Sequence, residues 1–385
     1  MPLCTSRRVE RIVQAEIRAM SIECARVGGI NLAQGVCDTE VPPPIRRGAR
    51  RAIDDGINSY TRHDGLSELR QAIARKLREY NGIDADPETE IVVSAGSTGA
   101  FYCACMALLD PGDEVILFEP YYGYHLNTLL AAEASAAYVA MSPPDWTFSP
   151  EDLRRAIGPR TKGIMVCTPA NPSGKVFTAR ELSWIAEVAN ERDLFIFTDE
   201  IYEYFLYDGR RHVSPGSLRE VADRTITISG MSKTFSITGW RIGYSASRER
   251  WAKMIGYVGD LVYVCAPAPL QRGVATGMEE LEGSFYERLR EEYAAKRRRI
   301  CEALRKANLA PFEPQGAYYV LADASRVPGA TGKDKAMHVL HRTGVAGVPG
   351  EAFYHDDAGG RLIRFCFAKT DEELEEACRR LERLD

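Results

Sequence analysis

Charge of one sign is what this 385-residue chain lacks most: 49 Lys+Arg stand against 54 Asp+Glu, a formal net charge of −5. A mildly acidic chain with interspersed charges offers no footprint for a phosphate backbone, which argues against nucleic acid as a partner. One basic run, Lys296-Arg297-Arg298-Arg299, falls in a long charged helical pattern and reads as a solvated helix face. Paired cysteines are lacking as well. The ten are scattered from Cys4 to Cys378 with no Cys-x-x-Cys pair, several inside apolar runs such as Gly163-Ile-Met-Val-Cys167. They read as small hydrophobes in a reducing compartment, and no metal site is expected. Met1 to Met20 carries Arg7, Arg8, Glu10, Arg11 and Glu16 with no apolar stretch between them, so no secretory signal is expected and the cytoplasm is the expected location. Ile91 to Leu109 runs nineteen residues without a charge, long enough to pass for a membrane span. Ser94-Ala-Gly-Ser-Thr-Gly99 divides it instead into a strand, a loop and a helix. No internal repeat or low-complexity segment is present.

What the chain does have is a rhythm of short apolar runs and helical segments. The runs are Glu90–Ser94, Glu114–Phe118, Ala136–Ala140, Gly163–Cys167, Leu194–Thr198, Thr225–Ser229 and Ile242–Ser245. Continuous apolar runs indicate strands buried on both faces. With helices such as Thr178 to Glu191 between them, they predict an α/β fold with a mostly parallel sheet sandwiched by helices. Leu66, Leu69, Ile73, Leu77 and Tyr80 fall at spacings of three and four and mark an amphipathic helix before the sheet. After it, a charged helix at about 281–306, an apolar run at Tyr318–Leu321, a helix near 333–342, the run Leu362–Phe367 and a final helix (Glu372 to Leu384) read as a smaller α+β unit. The expected division is a large unit over 46–275 and a small one built from 1–45 and 276–385.

Several constellations can carry chemistry. Ala95-Gly-Ser-Thr-Gly99 places two hydroxyls and backbone N–H groups at a helix start, a phosphate-holding arrangement that simple capping would also produce. Thr168-Pro-Ala-Asn-Pro-Ser-Gly174 is irregular, because Pro169 and Pro172 remove donors, and it follows a buried strand, where α/β proteins place ligand contacts. Asp199, closing an apolar strand, needs a cationic partner or strong donors unless it is an exposed cap. Lys233 and Arg241, in Ser229-Gly-Met-Ser-Lys233-Thr-Phe-Ser-Ile-Thr-Gly-Trp-Arg241, offer an amine nucleophile and an anion clamp, although most lysines are merely solvated. In Leu362-Ile-Arg-Phe-Cys-Phe367, alternation puts Arg364 beside Leu362 and Cys366, so its guanidinium calls for a fixed carboxylate partner or an internal salt bridge.

The ordered set Tyr60, Gly96-Ser97-Thr98, Tyr122, Asn171, Asp199-x-x-Tyr202, Ser232-Lys233, Arg241 and Arg364 resembles the class I/II aminotransferases, fold-type I pyridoxal 5'-phosphate (PLP) enzymes related to aspartate aminotransferase. The likeness runs from Asn31-Leu-Ala-Gln-Gly35 to Arg364. Asn171-Pro-Ser-Gly174, Asp199-Glu-Ile-Tyr202 and Ser232-Lys-Thr-Phe-Ser-Ile-Thr-Gly-Trp-Arg-Ile-Gly-Tyr244 are its specific signals. The resemblance implies that Lys233 carries the cofactor and then moves a proton at the substrate's Cα, a task for an amine of depressed pKa. It implies Asp199 at the pyridine nitrogen, Tyr202 and Asn171 at the phenolic oxygen, and Tyr122 stacked on the ring. Ser97, Thr98 and Arg241 meet the phosphate, with Tyr60 reaching across from a second subunit of a homodimer. Where some relatives carry a serine three residues before the lysine, this chain has Gly230, and Ser232 or Ser229 stands in. Arg364 takes the substrate's α-carboxylate, with the Gly35 amide nearby.

The function so implied is transfer of an α-amino group to a 2-oxo acid such as 2-oxoglutarate, in two half-reactions. No second arginine selecting dicarboxylic acids is assignable, and Tyr60, Tyr122 and Tyr124 make an aromatic, hydrophobic or broad donor range the expectation. A PLP-dependent β-lyase of the cysteine-conjugate type is the alternative within the fold. A catalytically inactive regulatory relative is the alternative outside it, although only about thirty residues precede the Asn31 motif, little room for a DNA-binding module.

Overall fold

A short first strand, β1 (Ile30–Asn31), precedes the seven that form the centre of the molecule: β2 (Ile91–Ala95), β3 (Glu114–Glu119), β4 (Ser135–Ala140), β5 (Thr161–Cys167), β6 (Phe195–Asp199), β7 (Thr225–Ser229) and β8 (Ile242–Ala246). The computed structural model describes residues 3–12 and 16–384; residues 1–2, 13–15 and 385, which the expected small unit includes, lie outside the described residues. The sheet order is β2-β8-β7-β6-β5-β3-β4. β4, β3, β5, β6 and β7 run parallel, while β8 is antiparallel to both its neighbours.

The two-sided burial read from the apolar runs is what the packing shows. Ile164, Val166 and Ile196 belong to one core, while Met165 and Phe197, their alternate neighbours, belong to the core on the opposite face. Helices Gly96–Leu108 and Glu249–Tyr263 cover that second face. Helix Ala179–Glu191 starts where Thr178 and Glu181 form a reciprocal capping box, each side chain bonded to the other's backbone N–H.

The remaining strands are β9 (Ala310–Phe312), β10 (Tyr319–Asp323), β11 (Val345–Ala346), β12 (Val348–Pro349) and β13 (Leu362–Cys366). β12-β13-β10-β9 form an antiparallel sheet, and β1 pairs with β11. The β1 segment is tied to β13 as well, where Cys366 N donates to Leu32 O at 2.7 Å. Tyr318, Val320, Ile363 and Phe365 share one continuous core with Ile164 and Val166, so the small sheet is packed onto the large one.

Two expectations are corrected. First, the stretch 91–109 contains a strand and a helix but no loop: helix Gly96–Leu108 begins at the residue after β2 ends. Gly96 makes the whole reversal at φ +78°, a conformation open to glycine. Second, the basic run is not a solvated face throughout. On helix Gly283–Lys306, Lys296 is buried and donates to Glu292 and to the Lys369 carbonyl, and Arg297 holds Asp208 with two bonds of 2.7 Å. Helical spacing alone does not register the Lys369 and Asp208 segments that cover that side. Among the described residues no helix is long and apolar enough to cross a membrane.

Candidate active site

The carboxyl ends of β5 and β6 lie in register, Cys167 opposite Asp199, so the segment Thr168–Gly174 and Asp199 emerge side by side. Around them opens a cavity of about 520 Å³ whose wall includes Gly35, Ser97, Thr98, Tyr122, Asn171, Asp199, Tyr202, Ser232, Lys233, Arg241 and Arg364. Residues from both sheets and from positions as far apart as Gly35 and Arg364 thus meet in one place. Tyr60 is the exception: its side chain is 81% exposed and it is not part of this wall.

Asp199 is buried and receives two donors. His125 Nε2 lies 2.9 Å from Oδ2, and the Ile201 amide donates to Oδ1 at 3.3 Å. His125 sits in the first turn of helix Gly123–Ala131 with Tyr122 and Phe101 packed edge-on against its ring, at 5.3 and 5.5 Å between centroids. Sequence reasoning did not single it out. The available signal was its place three residues beyond Tyr122, on one turn of a helix that starts at the carboxyl end of β3.

Lys233 donates from Nζ to the Gly35 carbonyl at 3.0 Å, and burial lowers its pKa from the ordinary lysine value. Gly35 is compulsory: a Cβ there would lie 1.8 Å from the Tyr319 hydroxyl oxygen. Tyr202 and Tyr319 share a hydroxyl–hydroxyl hydrogen bond of 2.9 Å, and burial pushes both phenols above their ordinary value. Tyr122 is stacked on Tyr124 at 5.1 Å and is likewise raised by burial.

Arg364 is fully buried, yet the expected carboxylate partner or salt bridge is absent among the described residues. Its Nη1 donates to Asn171 Oδ1 at 2.8 Å and its Nη2 to the Ala33 carbonyl at 2.5 Å, while Nε has no partner. The Tyr319 and Phe353 rings flank the guanidinium at 4.3 and 5.0 Å. A buried cation oriented by neutral acceptors and left uncompensated is a site for an anion.

At the other end, Ser97 and Thr98 occupy the first turn of helix Gly96–Leu108, whose free N–H groups favour negative charge. Arg241, at φ +57°, donates to the Thr238 and Ala95 carbonyls and closes over Gly96, where a Cβ would come 2.3 Å from its Nη2. Ser232 Oγ lies on the wall, bonded to the Ile242 carbonyl at 3.3 Å. Ser229 is elsewhere: its hydroxyl is spent on Glu203 Oε1 at 2.7 Å, which removes it as a stand-in. Gly230 also has a physical reason, since a Cβ there would meet Gly243 Cα and the Ile242 carbonyl at 2.9 Å, leaving no space for a serine.

The donor set fits PLP: helix-start amides, two hydroxyls and Arg241 for a phosphate, a buried carboxylate for a ring N–H, and an amine in the same wall. The wall holds the cations Arg18, Lys233, Arg241 and Arg364 against the single carboxylate Asp199, a balance that calls for anionic ligands. Arg18, Ile17, Gln34 and Val36, all on this wall, are further residues the sequence reading did not place.

The model of the family "Aminotransferase class I and II" matches residues 27–381. A probable N-succinyldiaminopimelate aminotransferase of Mycobacterium tuberculosis is 35% identical, with 94% of each chain covered. An aspartate/prephenate aminotransferase of Thermus thermophilus is 35% identical, with 98% of each covered. The solved structure of N-succinyldiaminopimelate aminotransferase from M. tuberculosis superposes with a TM-score of 0.95 at 34% identity, covering 99% of this chain and all of that one. A whole-chain match of sequence and fold, together with a cavity built for PLP, places the chain in the class I and II aminotransferases, PLP-dependent transaminases of fold type I.

Proposed function

We propose that this aminotransferase takes the amino group of an apolar or aromatic amino acid and passes it to a 2-oxo acid such as 2-oxoglutarate. The observation that carries the reading is the composition of the cavity wall beyond the cofactor groups: Ile17, Val36 and Tyr124, with one further cation, Arg18, that makes no ion pair among the described residues. Apolar side chains fit the former, and Arg18 offers a contact for the distal carboxylate of a dicarboxylic acceptor.

PLP, when bound, supplies the electron sink for the bond broken at the substrate's Cα. In this reading Arg364 grips the α-carboxylate and Gly35 backs it. Asn171, whose Oδ1 is taken by Arg364, keeps its amide N–H groups for the ligand, beside the Tyr202 hydroxyl. Lys233 Nζ, its pKa depressed by burial, takes the proton at Cα and returns it. Asp199, fixed by His125, faces the ring nitrogen, and Tyr122 covers the ring. Ser97, Thr98, Ser232 and Arg241 hold the phosphate, with Tyr60 of a second subunit. The proposal includes a large unit over 46–275 and a small one from 1–45 and 276–385. It includes the cytoplasm as location, supported by free thiols buried at Cys24, Cys37, Cys103, Cys105, Cys301, Cys366 and Cys378.

Steady-state rates with kynurenine, phenylalanine, methionine, alanine and aspartate as donors test the donor range, and strict selectivity for aspartate overturns it. Replacing Arg18→Ala is expected to raise KM for 2-oxoglutarate about fivefold, the size of an exposed ion pair, and to leave KM for pyruvate unchanged. Equal effects on both acceptors would remove Arg18 from substrate contact.

A further inference from the structure

One buried acid lies outside the cofactor groups but close to the elements that carry them. Glu119 ends β3, immediately before Pro120-Tyr121-Tyr122, and its carboxylate is 4% exposed. Its partners come from a segment more than two hundred residues away. The His355 amide donates to Oε1 at 2.7 Å, and His355 Nδ1 lies 2.9 and 3.0 Å from Oε1 and Oε2. The imidazole also stacks on Tyr138 of β4, with centroids 4.3 Å apart and planes within 8°. Two residues before it, the Phe353 carbonyl accepts from the Tyr121 amide at 2.9 Å, and the Phe353 ring is one of the two that flank Arg364.

We propose that Glu119 and His355 are a positioning pair: they dock segment 350–355 on the carboxyl ends of β3 and β4, so that Phe353 holds the Arg364 guanidinium in the orientation that receives the substrate's carboxylate. The inference rests on the reading of Arg364 as the carboxylate site. Its physical basis is the geometry of the link. The segment that carries Tyr122, which covers the cofactor ring, and the segment that carries Phe353, which sets Arg364, are joined by the Tyr121–Phe353 backbone hydrogen bond and by this acid–imidazole contact. A guanidinium displaced by a fraction of an ångström loses its two parallel bonds to a carboxylate.

The other titratable groups around the pair are Tyr121, Tyr138, Tyr354, Asp356 and, beyond Tyr354, Arg361. Burial raises the Glu119 carboxyl and the bonds from His355 pull it back, so the pair is charge-coupled.

The test uses PLP-loaded protein carrying Glu119→Gln, His355→Phe or both. His355→Phe keeps a ring on Tyr138 at a half-exposed position and removes only the N–H, so it is the variant expected to fold in every case. Binding of hydrocinnamate, a carboxylate without an amine, is followed by visible absorbance, and the donor KM and kcat are measured. Each single variant is expected to weaken hydrocinnamate binding and raise KM about five- to tenfold, with kcat changed less than twofold. The double variant should be no worse than either single. Unchanged binding by a folded His355→Phe protein, or additive losses, overturns the proposal. Arg364→Lys is the control: if it too leaves hydrocinnamate binding intact, the carboxylate reading fails; if it alone weakens binding, only the positioning pair fails.

Discussion

Lys233, the proposed proton carrier, shows what burying an amine costs the fold. Burial depresses its pKa, so over the interval below the ordinary value of 10.5 the unfolded chain binds a proton that the folded protein releases. Stability of the cofactor-free protein therefore rises with pH across that interval, and the full penalty is felt below the folded-state pKa. Lys233→Met removes the titrating group at similar volume. In scanning calorimetry of cofactor-free protein, the variant is expected to melt about 1–4 °C above wild type near pH 7, with the gap closing as pH approaches 10. A gap independent of pH would mean that packing, not charge, separates the two proteins. Activity is expected to vanish in the same variant. Arg364 makes the complementary point: its place in an apolar strand was visible in the alternation of Leu362–Phe367, but the absence of a protein carboxylate was not. Alternation reports which side of a strand a residue occupies and says nothing about what the chain brings opposite it.

At the scale of elements, Gly96 decides how the helix start faces the cavity. Because β2 passes into helix Gly96–Leu108 through one residue at φ +78°, with Arg241 packed where a side chain would begin, Gly96→Ala imposes both a strained backbone and a displaced guanidinium. A non-glycine left-handed residue costs roughly 1–2 kcal/mol on its own. The variant is expected to fold while binding PLP at least about tenfold more weakly, by equilibrium dialysis, with Arg241 disengaged. The strands on either side were legible because both faces of the sheet are covered and their runs are uniformly apolar. The one-residue turn was not, since Gly-Ser-Thr-Gly is equally the composition of a loop. Less legible still was what lies behind Asp199. Glu200, Glu203 and His212 bring ligand atoms within 4.8 Å of one another, close enough to hold a metal ion. Yet each of the four carboxylate oxygens already accepts a bond, from Thr198, Ser214, His212, Asn81, Ser229 or Lys76. Burial raises Glu203, and Lys76 and His212 more than offset it, so the acid sits below its ordinary value. Partners drawn from 76–81 and 212–214 leave no mark on the local pattern at 199–203.

At the scale of the whole molecule, the exposed apolar side chains are unevenly placed. Tyr257, Leu261, Val262 and Val264, on and just after helix Glu249–Tyr263, are 51%, 87%, 52% and 39% exposed. His63, three residues after the exposed Tyr60, packs against Tyr257 at 5.9 Å and brings the Tyr60 segment to this helix. Apolar surface of this kind favours a protein partner, and in the proposed homodimer that partner is the second copy of the chain that would take Tyr60 into its cavity. If each cavity takes Tyr60 from the other subunit, two defective proteins repair one another. A dimer of one Lys233→Ala subunit and one Tyr60→Ala subunit has one site with both residues intact and one with neither. Random mixing makes half the dimers hybrid, so about a quarter of wild-type activity is expected from two parents assayed as inactive at limiting PLP. Leu261→Asp in both parents should abolish the recovery and halve the mass seen by light scattering. If Tyr60 serves its own subunit instead, every site in the hybrid lacks one of the two residues, and mixing restores nothing.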